Sequence, residues 1–225
     1  MVSSPEFCYL QMANQLSLVH LIELGYELCG TYSMPAGRES ELSAEGLFNR
    51  VPLTSRKRLK AFAERMPGMK GRQKVMRALR YLNDGSASPM ETKLSVLLTL
   101  PYKLGGYSFP MPELNSRIIP SKAAKRISSK ACYICDLYWP DYNLAVEYDS
   151  DLFHTGPERI ANDAKKKNDL ASIDVTTITV TNQQIRNTAE FEKLAGLLAG
   201  IMSKKLLFKN PGFSIAHREL RKQLF

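Results

Sequence analysis

The sequence predicts an α/β (α+β) chain: a mixed central sheet flanked by helices, with a helical region ahead of it. Three observations carry this. A β-branched run, Val175-Thr-Thr-Ile-Thr-Val-Thr181, lies between two helical patterns. Apolar residues on either side of Trp139-Pro-Asp-Tyr-Asn143 describe two strands joined by a tight turn. Before residue 86 the pattern is mainly helical and strongly basic. Runs of helix and strand in this order fit helices packed on a sheet.

The elements follow in order. Residues 4–28 read as helix, with Ser4 as N-cap and Pro5 in the first turn. Residues 28–32 read as a short strand, and 33–50 as a Ser-, Glu- and Gly-rich loop. Thr54 to Arg65 is a basic helix broken by Pro67-Gly68, and Lys74 to Leu82 is a second helix stopped by Asn83-Asp84-Gly85. This region admits a helix-turn-helix. Ser88-Pro-Met-Glu91 opens a helix with the capping-box pattern, and Leu94, Leu97 and Leu98 follow at helical spacing up to Gly105-Gly106. Tyr107 to Ile119 reads as an extended strand, with Pro110 and Pro112 marking an edge or irregular start. After the hairpin come a helix over 156–173, the β-branched strand, and an amphipathic helix over 183–207. The expected organisation is therefore an N-terminal domain over 1–85, a sheet domain over 86–207 and a C-terminal tail over 208–225.

At 225 residues the chain is long enough to bury a sizeable core. No apolar run reaches membrane-spanning length, and Met-Val-Ser-Ser-Pro-Glu lacks the basic and apolar regions of a signal peptide. A cytoplasmic location and no membrane partner are therefore expected, with Cys8, Cys29, Cys132 and Cys135 as free thiols. Cys132 and Cys135 would need two further ligands to bind zinc. Three-residue spacing on a strand also sends their thiols to opposite faces, so both read as core.

The net charge is +9 and the pI about 9.4, which points to a polyanionic partner. From Arg50 to Arg80 there are eleven Lys or Arg against one acid, Glu64. Like charges at this density repel unless a partner neutralises them. Arg56, Lys57, Arg58, Lys60, Lys70, Arg72 and Lys74 are therefore candidates for phosphate contacts. Such contacts position nucleic acid without reading its sequence. Lys122, Lys125 and Arg126, with Lys130, form a second basic group ahead of the hairpin.

The hairpin holds three acids, Asp136, Glu147 and Asp149, in apolar surroundings. A carboxylate inside an apolar strand is costly unless it is paired or binds a metal. Alternation puts Glu147 and Asp149 on one face and Tyr148 on the other. The three acids together suggest a cation site, for Mg2+ or Mn2+ by the hardness of carboxylate oxygen. Asp136 and Glu147 are its first ligands, with Glu91 and the backbone carbonyl of Tyr148 as further ones. Each has a plainer alternative. Glu91 is also the capping-box partner of Ser88, Asp149 also ends a strand, and Lys165 to Lys167 also read as a solvated helix face.

These residues in this order resemble the PD-(D/E)XK nuclease superfamily, the restriction-endonuclease-like fold. Within it they look most like the very-short-patch-repair-endonuclease-like branch and its bacterial relatives. The matching stretches are Ser88-Pro-Met-Glu91, Cys135-Asp136-Leu at the end of the second strand, and Leu144-Ala-Val-Glu147-Tyr-Asp149. His154 just beyond and Asn162-Asp-Ala-Lys-Lys-Lys-Asn-Asp-Leu170 on the next helix match too. The resemblance spans roughly residues 86–205. It implies a metal-dependent endonuclease that hydrolyses DNA phosphodiester bonds, with RNA left open as a substrate. Ser4-Pro-Glu6 and Glu27-Leu-Cys-Gly-Thr-Tyr32 are similar to AbiEi-type antitoxin proteins. A homodimer and a toxin–antitoxin or defence-system partner are the associations these resemblances carry.

One departure stands out. In the superfamily's commonest pattern a lysine follows the second acid by two positions, and here that position is Asp149. His154 is the candidate base, as in the very-short-patch-repair-like branch. Lys166 could instead supply the positive charge, with Lys165 and Lys167 as its alternates. The substitution leaves two readings: a nuclease with a relocated base, or a non-cleaving DNA-binding regulator or antitoxin-like protein that retains the nuclease fold.

Overall fold

The protein is described from a computed structural model, which covers residues 2–34, 47–120, 130–149, 157–207 and 211–225, the side chains of 157–160 excepted. The chain divides into two compact units, Met1–Met111 with Leu207–Phe225, and Pro112–Leu206. Among the described residues no helix is long and apolar enough to cross a membrane.

The first unit is helical. It contains α1 (Pro5–Met12), α2 (Leu18–Cys29), α3 (Arg56–Glu64), α4 (Arg72–Ala78) and α5 (Pro89–Thr99). Ser4 caps α1 by accepting from the Phe7 N–H, with Pro5 in the first turn. The single helix expected over 4–28 is two, because Ser17 accepts from the N–H of His20 at 3.2 Å and begins α2 afresh. That helix runs through Cys29, so the short strand expected at 28–32 is replaced by helix and an isolated bridge between Ser33 and Leu47.

Helix α5 lies in this unit rather than with the sheet, and the division falls near residue 112 instead of 86. The reason is that α5 is buried all round, polar positions included. Thr92 bonds the Tyr32 hydroxyl at 2.9 Å and Ser95 bonds the Tyr26 hydroxyl at 3.0 Å, tying α5 to α2 and the segment after it. The C-terminal segment, expected as a tail, forms α9 (Pro211–Leu224) with Phe213, His217, Leu220 and Leu224 buried. His217 Nδ1 lies 2.6 Å from the carbonyl oxygen of Gly105. Gly105 has φ +87°, and a Cβ there would collide with the Ala216 carbonyl, so this position requires glycine.

The second unit is an α+β layer. Among the described residues its sheet has the order β1 (Glu113–Ile118), β2 (Tyr133–Trp139), β3 (Leu144–Asp149), β4 (Thr176–Thr181). β1–β2 and β2–β3 are antiparallel and β3–β4 is parallel. Pro140–Tyr142 forms a 3-10 turn and Asn143, at φ 45°, closes the hairpin in the left-handed conformation asparagine tolerates. A parallel pair needs a long crossover, and α6 (Pro157–Ala171) supplies it. The helix expected over 183–207 is broken into α7 (Asn182–Arg186) and α8 (Thr188–Ile201), because the side chain of Asn187 caps the second by accepting from Glu190 N–H at 3.1 Å.

Ile118, Tyr133, Cys135, Ala145, Leu170 and Val175 form one apolar cluster between sheet and α6. The Tyr133 hydroxyl donates to buried Asp169 at 2.8 Å, which satisfies that carboxylate. All four cysteines are free thiols, Cys135 in the core and Cys132 half-buried.

Candidate functional site

One ladder skips Asp136 and another ends just before it. In β1–β2 the pairs run Leu114–Leu137 and Ser116–Cys135, and the register position between them, Asn115 against Asp136, is skipped. Asn115 has φ 47°, a conformation β-strand residues rarely adopt. In β2–β3 the ladder runs Trp139–Leu144, Tyr138–Ala145, Leu137–Val146 and ends there. One step further would set Asp136 against Glu147. Beyond that point the N–H of Tyr148 donates to Asp136 Oδ2 at 2.7 Å. Asp136 is thus in the middle of β2 rather than at its end, at a local break where its carboxylate takes a strand N–H.

Glu147 is fixed from the other side. Lys166 on α6 donates to Glu147 Oε2 at 2.8 Å, with the two side chains 27% and 18% exposed. At that burial the pair is far less screened than a surface ion pair. Glu147 Oε1 is buried with no hydrogen-bond partner. Burial pushes the neighbouring Cys135 thiol well above its ordinary range, and the charge of Glu147 adds to the effect. Cys135 is therefore a neutral core thiol, not a nucleophile.

Asp136, Glu147, Tyr148, Asp149, Asp163, Lys166, Lys167, Thr177 and Thr179 line one cavity of about 200 Å³. β2 contributes Asp136, β3 contributes Glu147 and Asp149, α6 the lysines and Asp163, and β4 the threonines. The parallel register sets Glu147 beside Thr179 and Ala145 beside Thr177. Glu147 and Asp149 share the cavity, as alternation requires. Tyr148, expected to turn away into packing, also lines it, and its N–H is the group engaged with Asp136.

The other candidate residues fall differently. Glu91 belongs to the first unit, where its carboxylate accepts from the Ala87 N–H at 2.9 Å while its own N–H donates to Ser88 at 3.2 Å. It is buried and acts as a helix cap. His154, Lys122, Lys125 and Arg126 lie outside the described residues. Thr177 and Thr179 were legible only as β-branched strand residues. The signal that marks them is their alternation with Ile178 and Val180, which gives β4 one polar face beside an acid-bearing neighbour.

Most cations of the basic stretch are exposed, but several also bond groups within the first unit. Arg56 Nε donates to the Leu79 carbonyl at 2.8 Å, Arg72 Nε to Ala63 at 2.8 Å, and Lys74 Nζ to Leu16 at 2.9 Å. Arg58 pairs with buried Glu6 at 3.3 Å. Burial would raise the Glu6 pKa, but the hydrogen bond from Thr54 at 2.6 Å, with help from Arg58, outweighs it and holds the carboxyl below its usual value. Lys60 makes an exposed i,i+4 pair with Glu64 at 3.7 Å. Lys57 and Lys70 are exposed.

Among the described residues no group of three His, Cys, Asp or Glu side chains is arranged to hold a metal ion. The cavity offers another oxygen set: the two hairpin carboxylates of Asp136 and Glu147, and hydroxyls from β4. The buried, unpartnered Glu147 Oε1 fits a hard divalent cation, because carboxylate oxygen suits Mg2+ or Mn2+ and a bare buried carboxylate oxygen is costly. Compared with protein-family models, curated proteins and solved structures, the chain matches none. The fold and cavity therefore define an α+β protein with an acidic, lysine-flanked pocket.

Proposed function

We propose that the chain is a metal-dependent endonuclease that hydrolyses DNA phosphodiester bonds, with the second unit as a PD-(D/E)XK-type core of the very-short-patch-repair-like branch. One observation carries this reading. Glu147 is held by Lys166 through one oxygen while its other oxygen is buried and unpartnered, and the residue lines a cavity with Asp136 and Asp149. The strand order, with the third junction parallel and crossed by α6, supports the same core.

Asp136 and Glu147 would hold Mg2+ or Mn2+. A divalent ion bound there supplies an activated water and charge stabilisation at the scissile phosphate. The chain's own residues do the rest. Tyr148 N–H fixes the Asp136 carboxylate by bonding Oδ2. Lys166 fixes Glu147 through Oε2 and leaves Oε1 unpaired. Its ammonium, with that of Lys167, which also lines the cavity, would stand in for the missing lysine of the commonest pattern. Exposed Lys57 and Lys70 would contact the phosphate backbone.

The alternative, a non-cleaving DNA-binding regulator or antitoxin-like protein that retains this fold, draws on Asp149 in the usual lysine position. Cleavage of supercoiled plasmid with Mg2+ or Mn2+, comparing wild type with Asp136→Ala and Glu147→Ala, separates the two. The nuclease reading expects metal-dependent nicking that both variants lose. Folded wild-type protein that shifts DNA in a salt-sensitive way but never cuts would favour the regulator. Cleavage of RNA alone would move the substrate.

A further inference from the structure

Among the described residues, three oxygens at the cavity have no hydrogen-bond partner: Glu147 Oε1, Thr177 Oγ1 and Thr179 Oγ1. A buried polar atom left unpaired is destabilising. Such atoms are uncommon in folded proteins, and three around one cavity mark a place where something else completes them. The threonines are two residues apart on β4, so their side chains share a face. The parallel register brings that face beside Glu147. Lys166 occupies Oε2 of Glu147, which leaves Oε1 as the unpaired oxygen of a side chain that lines the cavity with both threonines.

The unpaired set is oxygen only, one carboxylate and two hydroxyls. Sulfur and imidazole are absent from it, so its chemistry suits a hard divalent cation and not zinc or copper. A cavity of about 200 Å³ holds an ion with several waters, since each water takes about 30 Å³. Thr177 and Thr179 are not otherwise needed for the fold by hydrogen bonding.

We propose that Thr177 and Thr179 are cation-holding residues, whose hydroxyl oxygens complete with Glu147 Oε1 a hard-cation donor set spanning two parallel strands. This rests on the reading that the cavity takes a divalent cation, and adds strand hydroxyls to its acidic ligands. Valine at either position keeps the shape and the strand preference while removing only the hydroxyl.

The test is Mn2+ binding to the full chain by electron paramagnetic resonance, with thermal denaturation in the presence and absence of Mg2+. Thr177→Val and Thr179→Val are each expected to weaken Mn2+ binding by about tenfold, the lower range for lost support of a metal site. The rise in Tm on adding Mg2+ shrinks with them. Their metal-free Tm stays level or rises, because an unpaired hydroxyl has been removed. Thr179→Ser, which keeps the hydroxyl, restores binding. Valine variants that bind Mn2+ like wild type would overturn the inference and leave the cavity's acidic ligands standing. A metal-free Tm that falls in both valine variants would overturn it by assigning the hydroxyls to structure. Wild-type protein that binds no Mn2+ would overturn it together with the reading beneath it.

Discussion

The basic helices α3 and α4 and the acidic cavity of the second unit treat their polar groups in opposite ways. In the helices, some charges that look available in the sequence are also used within the chain, though most stay exposed: Arg56, Arg72 and Lys74 bond backbone carbonyls and Arg58 covers Glu6. In the cavity, oxygens that a strand would ordinarily satisfy or expose are buried and left unpaired. The lesson is that a dense charge run does not by itself mark a binding surface, whereas a cluster of unpaired buried atoms calls for a ligand. A sequence displays the first plainly and hides the second.

Substitutions can break this comparison, and the largest effect belongs to the cavity. Glu147→Ala removes the buried carboxylate and strands Lys166. Metal-dependent cleavage is expected to fall by about a thousandfold or more, the several kcal/mol that metal positioning supplies. Single-turnover plasmid nicking reads it. Lys166→Met leaves Glu147 buried without its partner. A loss of about a hundredfold in the same assay is expected, with a lower Tm, since removing one member of a buried pair costs more than the pair contributes. Unchanged rate and Tm would mean the pair is incidental.

Next come the basic helices. Arg72→Ala and Lys74→Ala each delete a charge-assisted bond to a backbone carbonyl. A loss of about 1–2 kcal/mol in chemical denaturation is expected. Lys57→Ala and Lys70→Ala, which are exposed, should leave stability level and lower the salt dependence of DNA binding by about one unit of slope each. If instead all four change only DNA binding, the division between structural and exposed cations is wrong.

The smallest effect is one of pH. Glu23 on α2 is pushed up to about 7 by burial, against the pull of Lys93 and His20. A carboxyl whose folded pKa is raised binds more protons folded than unfolded, so stability falls as pH rises from about 4.5 to about 7 and is flat above. Glu23→Gln should flatten a plot of Tm against pH across that window. A variant curve that still falls there would assign the effect to other groups.

Much of the second unit was legible beforehand. The hairpin declares itself because apolar alternation flanks a Trp-Pro-Asp-Tyr-Asn turn, and β4 because its residues are β-branched. The common face of Glu147 and Asp149 followed from alternation alone. What escaped depends on partners remote in sequence. The position of Asp136 at a ladder break needs Asn115 to leave the strand conformation. The break at Asn187 reflects a side-chain cap that beats a continuous apolar stripe. Helix α9 has helical spacing at Phe213, His217, Leu220 and Leu224, but a buried histidine interrupts the stripe, and its place in the core depends on the carbonyl of Gly105. The assignment of α5 to the first unit rests on hydroxyl pairs with Tyr26 and Tyr32 that no local pattern encodes.

The central claim is that the cavity between β3, β4 and α6 takes a divalent cation through Glu147. A crystal soaked in Mn2+ and measured at a wavelength that brings out its anomalous signal tests it directly. The account predicts an anomalous peak in the cavity at carboxylate-coordination distance from Glu147 and Asp136, lost in Glu147→Ala crystals. A peak only at other sites, or one in the cavity that survives the substitution, would contradict it.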